Sequence, residues 1–96
     1  MFPHNESTDA LTRAFLALES VEDCYRLFED LFTIKEIQDL SQRLEVAKML
    51  QEKATYTEIV EKTGVSTATI GRVNRALNYG AGGYQLVRGK LSQHDD

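Results

Sequence analysis

The chain predicts an all-α fold, and three observations carry that prediction. Apolar residues recur three and four positions apart from Leu11 to Leu91, no alternating apolar and polar run of useful length occurs, and a helix-start signature repeats at Ser20–Asp23, Thr33–Glu36 and Thr55–Glu58. Side chains three and four apart lie on one face of a helix, so each apolar series defines one buried stripe. No internal repeat is present.

Residues 1–7, with Pro3, His4, Asn5 and Glu6 and no periodic apolar series, predict a disordered N-terminal tail. Thr8 or Asp9 can cap a first helix with Leu11, Phe15 and Leu18 on one face. Ser20 opens a second, in which Cys24, Leu27, Phe28, Leu31 and Phe32 follow at helical intervals, with Asp23 in place of the usual capping-box Glu. Thr33 and Glu36 open the longest helix, whose stripe of Ile34, Ile37, Leu40, Leu44, Ala47 and Leu50 runs opposite a charged face and ends near Glu52. Thr55 and Glu58 start a short helix with Ile59 and Val60 inward and Gly64 as a left-handed stop. Ser66 caps the next helix, with Ile70, Val73 and Leu77 inward. The glycines at 80, 82 and 83 then predict a flexible joint. Tyr84, Val87 and Leu91 suit a last short helix, despite about 1 kcal/mol lost at Gly89. The expected organisation is one helical domain over 8–91 and a polar C-terminal tail over 92–96.

Composition limits the function classes. Ninety-six residues carry a net charge of −4, which by itself does not mark a polyanion binder. The average hides an asymmetry: residues 1–61 hold thirteen acidic and six basic side chains, whereas 62–94 hold Lys62, Arg72, Arg75, Arg88 and Lys90 and no acid. A lone Cys24 in an apolar series reads as a small hydrophobe in a reducing cytoplasm. No signal-peptide pattern and no apolar run long enough to span a bilayer occurs, so no membrane partner is expected. Two His near opposite ends and one Cys provide no metal-ligand spacing, and no nucleophile–base pair or phosphate loop can be assembled. Neither a catalytic nor a metal site is expected.

Residues 55–78 have the layout of a helix-turn-helix: a capped short helix, Gly64 at the turn, apolar Val65, and a capped second helix. One departure is Val60, where the motif prefers a small residue. With Ile70 and Val73 inward, Ser66, Thr67, Ala68, Gly71, Arg72 and Arg75 face outward. Small groups then lead into a groove and guanidiniums follow, while Thr67 and Thr69 can offer a hydroxyl or a methyl. Amides at the helix N-terminus add positive dipole toward phosphate. A plain helical hairpin with solvated arginines is the alternative, and the acid-free positive charge of residues 62–94, which include the second helix, favours a double-stranded DNA partner.

Residues 33–76, from TIKEIQDLSQRLEVAKML through YTEIVEKTGVSTATIGRVNRA, resemble the Trp repressor-like superfamily, in particular its YerC/YecD type. Leu40-x-x-Arg43 and the Ala68–Arg72 string ATIGR are the distinctive parts, and the similarity extends from about Leu11 to Tyr84. The resemblance implies an intertwined homodimer whose paired helix-turn-helix heads bind DNA. It also places Thr33, Arg43 and Arg72 at the positions of a corepressor pocket. Val73 departs from the repressor pattern, which has Gly there, so no cofactor is expected and L-tryptophan in particular is not; a different small-molecule effector stays open.

Two functional readings follow. The first is a sequence-specific DNA-binding transcriptional regulator of repressor type, acting as a cytoplasmic homodimer. The second is a protein-interaction adaptor that keeps the helix-turn-helix scaffold and docks a partner through Phe28, Phe32 and the long helix.

Overall fold

A computed structural model describes residues 2–94; Met1, and Asp95 and Asp96 of the expected C-terminal tail, lie outside the described residues. The elements are α1 (Glu6–Leu16), α2 (Val21–Leu31), α3 (Ile34–Gln51), α4 (Tyr56–Thr63), α5 (Thr67–Tyr79) and α6 (Gly83–His94). No strand occurs among the described residues, so the all-α expectation holds. The chain divides into two compact units between Ile37 and Gln38, where the sequence predicts one domain over 8–91.

In the first unit the N-terminal tail is shorter than expected, because Asn5, not Thr8 or Asp9, is the cap. Its side chain accepts from the Thr8 amide at 3.0 Å, and the Thr8 hydroxyl accepts from the Asn5 amide at 2.8 Å, a reciprocal pair that starts α1 at Glu6. Ser20 caps α2 by accepting from the Asp23 amide at 3.0 Å. The Asp23 carboxylate accepts from the Glu19 amide, one residue ahead of the cap, at 3.1 Å. Phe15, Phe28 and Phe32 form an aromatic triad with ring centroids 5.7 to 6.3 Å apart, a favourable tilted and edge-on arrangement. Phe28 and Phe32 are thereby half-buried within this unit.

Thr33 and Glu36 form the predicted box. The Thr33 amide donates to the Glu36 carboxylate at 2.9 Å and the Glu36 amide donates to the Thr33 hydroxyl at 3.1 Å. The hydrogen bond from the Thr33 backbone amide first, and that with the threonine side chain second, hold the Glu36 carboxyl below its ordinary value.

The second unit is organised around a small apolar core of Val46, Ala47, Ile59, Val65, Ile70 and Val73. Ile59, Ile70 and Val46 are fully buried, each contributing about 1.5–3 kcal/mol of transfer free energy. Only one member of the predicted α3 stripe, Ala47, is fully buried here. Leu40 and Leu44 are exposed, and Val46, absent from that stripe, takes the central place. The helix is apolar on more than one side, and periodicity cannot choose which side meets α4 and α5.

Where α3 ends, Lys53 adopts the left-handed conformation usually left to glycine, with φ 69°. Ala54 donates to the Met49 carbonyl at 3.0 Å and Lys53 to the Leu50 carbonyl at 3.1 Å, satisfying the last turn. The polar tail expected from Ser92 also starts too early, since Ser92 and Gln93 continue α6.

Candidate nucleic-acid interface

Local hydrogen bonds build the turn between α4 and α5. Thr55 and Glu58 form the third reciprocal box, at 3.1 and 3.2 Å. At the other end of α4, Gly64 has φ 74° and donates to the Val60 carbonyl at 2.9 Å, the left-handed stop read from the sequence. The Thr63 hydroxyl donates to the Ile59 carbonyl at 2.7 Å and accepts from the Val65 amide at 3.3 Å, tying the helix end to the residue that turns inward. Val60 is half-buried against the core, so the branched side chain that departs from the generic motif is accommodated.

Ser66 caps α5 by accepting from the Thr69 amide at 3.2 Å. Its hydroxyl also lies 3.1 Å from the Thr69 hydroxyl, and Thr69 is half-buried. Thr69 therefore belongs to the cap rather than to the outward row that the sequence suggests for its hydroxyl. Thr67, Ala68, Arg72 and Arg75 are exposed, while Ile70 and Val73 point into the core. Gly71 is half-exposed, and a Cβ added there meets nothing within 4 Å. The outward face of α5 thus carries small groups over its first turn and two guanidiniums beyond, and neither Arg72 nor Arg75 forms an ion pair among the described residues.

Lys62, which the sequence places in the basic stretch, pairs with Glu45 of α3 at 3.9 Å. Both side chains are solvated, so the pair adds little stability, but it neutralises that charge locally. Arg72, Arg75, Arg88 and Lys90 remain as the cationic set of the acid-free segment.

The positions suggested for a corepressor fall in both units. Thr33 lies in the first, its side chain engaged as the α3 cap. Arg43 and Arg72 lie in the second, both exposed; the Arg43 Nε donates to the Asp39 carbonyl one turn back at 3.4 Å. Val73, beside Arg72, is 3% exposed and part of the core. Among the described residues no group of three or more His, Cys, Asp or Glu could hold a metal ion, and no helix is long and apolar enough to cross a membrane.

The sequence profile described as Trp repressor protein matches residues 6–92, nearly the whole chain. The chain belongs to the Trp repressor family. It is 52% identical over 85 residues to the uncharacterized protein YerC of Bacillus subtilis (strain 168), an alignment covering 88% of this chain and 82% of YerC. Its fold is similar to that of a solved TrpR-like protein from Eubacterium eligens ATCC 27750, with a TM-score of 0.89 and 53% identity over 92% of this chain and 91% of that one. A Staphylococcus aureus structure aligns with the same TM-score of 0.89 at 45% identity, covering 93% of this chain and 89% of that chain.

One feature of this Trp repressor family member escapes sequence reasoning. Tyr79, the last residue of α5, is 85% exposed, more than any other large apolar side chain among the described residues. The only signal in the sequence is the Tyr-Gly-x-Gly-Gly-Tyr spacing from Tyr79 to Tyr84, whose glycines mark a joint without telling the two tyrosines apart.

Proposed function

We propose that this member of the Trp repressor family is a sequence-specific DNA-binding transcriptional regulator of repressor type, working in the cytoplasm as a homodimer. The observation that carries the reading is the outward face of α5: exposed small residues at Thr67 and Ala68, open space at Gly71, and Arg72 and Arg75 without ion pairs among the described residues, within a segment free of acids. Helix-turn-helix proteins place the leading end of such a helix against base edges, with positive groups at the phosphates. The aromatic triad of the first unit draws Phe28 and Phe32 inward, which weakens the adaptor reading that needs them as a docking surface.

Counterion release makes DNA binding testable. Affinity measured by fluorescence anisotropy should weaken steeply with salt, and Arg75→Ala should lower it by an amount on the order of 1–3 kcal/mol. A base-reading arginine would relax specificity, whereas a phosphate-contacting one would weaken all sequences and lower the salt slope by about 1. Unchanged affinity and slope in Arg75→Ala would leave the arginine a bystander and favour a structural helical hairpin.

The homodimer rests on apolar surface that one chain leaves uncovered. In the second unit, Leu44, Met49, Tyr84, Val87 and Leu91 line a groove of about 650 Å³ that is flanked by charged residues such as Glu45, Lys48 and Arg88, with Leu44 51% and Leu91 58% exposed. In the first unit Val21 and Ile34 are more than two-thirds exposed. Faces of this extent on so small a chain need a partner, and a second copy presents complementary stripes by symmetry. Light scattering should give roughly twice the chain mass at micromolar concentration. A monodisperse monomer that keeps its helical signal would rule the homodimer out.

A further inference from the structure

We propose that Tyr79 contacts the DNA backbone, its phenol hydroxyl donating to a phosphate oxygen at the edge of the groove that α5 enters. The proposal rests on the DNA-binding reading and extends it to a residue not among those predicted from the sequence.

The chain breaks sharply after Tyr79. At Gly80 a Cβ would collide with the Ala76 carbonyl oxygen, so only glycine fits the turn. Gly82 follows with φ 84°, in the left-handed region. The Gly80 amide donates to the Ala76 carbonyl at 2.9 Å, and across the turn the Gln85 side-chain amide donates to the Leu77 carbonyl at 2.7 Å. Tyr84, at the start of α6, packs against the core. The two tyrosines flanking the glycines thus have opposite fates: one anchors the turn, and the other stands in solvent on the end of a fastened helix. Asn78, beside it, is occupied, its side-chain amide donating to the Asn74 carbonyl at 3.0 Å.

Helix geometry puts Tyr79 on the reading face. At 100° per residue, it lies about 20° around α5 from Arg72 and two turns further on, in the row that runs through Ala68 and Arg72 with Arg75 alongside. From Thr67 to Tyr79 the helix rises roughly 18 Å, whereas the major groove is about 12 Å wide. If Thr67 and Ala68 meet base edges, the far end of the helix is at or past the phosphate ridge. A tyrosine hydroxyl is one of the neutral donors that hold phosphate oxygens in protein–DNA interfaces. The segment around it, Lys62 to His94, has no carboxylate to repel that backbone.

The test is anisotropy on the full chain with Tyr79→Phe, Tyr79→Ala and Tyr79→Glu beside Arg75→Ala, over several DNA sequences and salt concentrations. Phe and Ala should weaken every sequence alike, about three- to tenfold, as expected for the removal of one hydrogen bond, without changing the salt slope, because tyrosine releases no counterion. Glu should weaken binding further. The melts and the light-scattering mass of the free protein should not move for the Phe and Ala variants, since the side chain is exposed. Three results would overturn the proposal while leaving DNA binding intact: wild-type affinity in both Phe and Ala variants while Arg75→Ala weakens; a loss in Ala but not Phe, which would assign a ring interaction in place of the hydroxyl; or an altered mass in Tyr79→Ala, which would assign a subunit interface. If the unmodified protein binds no DNA at all, the parent reading fails together with this one.

Discussion

Gly71→Leu is expected to abolish specific DNA binding, on the order of a hundredfold or more, without unfolding the protein. Glycine inside a helix is ordinarily a liability of up to about 1 kcal/mol relative to Ala. Here an added Cβ meets nothing within 4 Å, so an alanine fits the free protein and should improve helix propensity, and a leucine on this solvent-facing position is expected to be tolerated. Gly71→Ala should accordingly raise the melting temperature slightly. In the proposed DNA complex the same space would be the approach path. A leucine between Ala68 and Arg75 would hold the helix off the base edges, where each good bidentate pairing with a base supplies about 1–3 kcal/mol of discrimination. Circular dichroism melts and anisotropy on the same preparation separate the two effects. Undiminished binding by the Leu variant would show that this face of α5 does not enter a groove.

Val73→Gly should strongly destabilise the protein, and it bears on ligand control as well. Val73 is 3% exposed within the core of Val46, Ala47, Ile59, Val65 and Ile70. Removing its side chain forfeits about 1.5–3 kcal/mol of burial, and glycine at mid-helix adds about 1 kcal/mol, so a loss on the order of 3 kcal/mol should appear in denaturant titration. A wild-type midpoint for the variant would contradict the assigned core. A ligand that needed the space of Val73 would have to displace this packed side chain, and such overpacking costs about 1–3 kcal/mol, enough to erase most of a weak affinity. We therefore propose that L-tryptophan is not a corepressor of this protein, although Thr33, Arg43 and Arg72 match the pocket positions that the resemblance implies. A ligand bound only by the native state raises the melting temperature with its concentration. Millimolar tryptophan should leave the wild-type melt in place. An upward shift that disappears in Arg72→Ala and grows in Val73→Gly would instead make the protein an amino-acid-responsive repressor.

By itself the sequence determined the helices and most of their ends, because those signals act over three or four residues. Thr33 with Glu36, Thr55 with Glu58, Ser66 with the Thr69 amide, and Gly64 at φ 74° are pairs or single positions whose chemistry is complete within one turn. The inward placement of Ile70 and Val73, and with it the exposure of Arg72 and Arg75, was legible for the same reason. The tertiary structure decided what competing local options leave open. The sequence offered Thr8 or Asp9 as the cap of α1; the reciprocal bonds between Asn5 and Thr8 settle on Asn5 instead. Lys53 ends α3 in a conformation that its residue type does not announce, held there by the Schellman-type bonds to Met49 and Leu50. Along α3, Val46 displaced Leu40 and Leu44 from the core, because a helix with apolar residues on two sides takes its buried face from what packs against it. Lys62 has a partner that spacing does not reveal, the Glu45 carboxylate on another helix, whereas Thr69 is half-buried beside the cap hydroxyl of Ser66. Tyr79 and Tyr84 are the same residue on either side of one turn, and the collision that a Cβ would suffer at Gly80 shows why that turn takes glycine, with one tyrosine left in solvent and the other against the core.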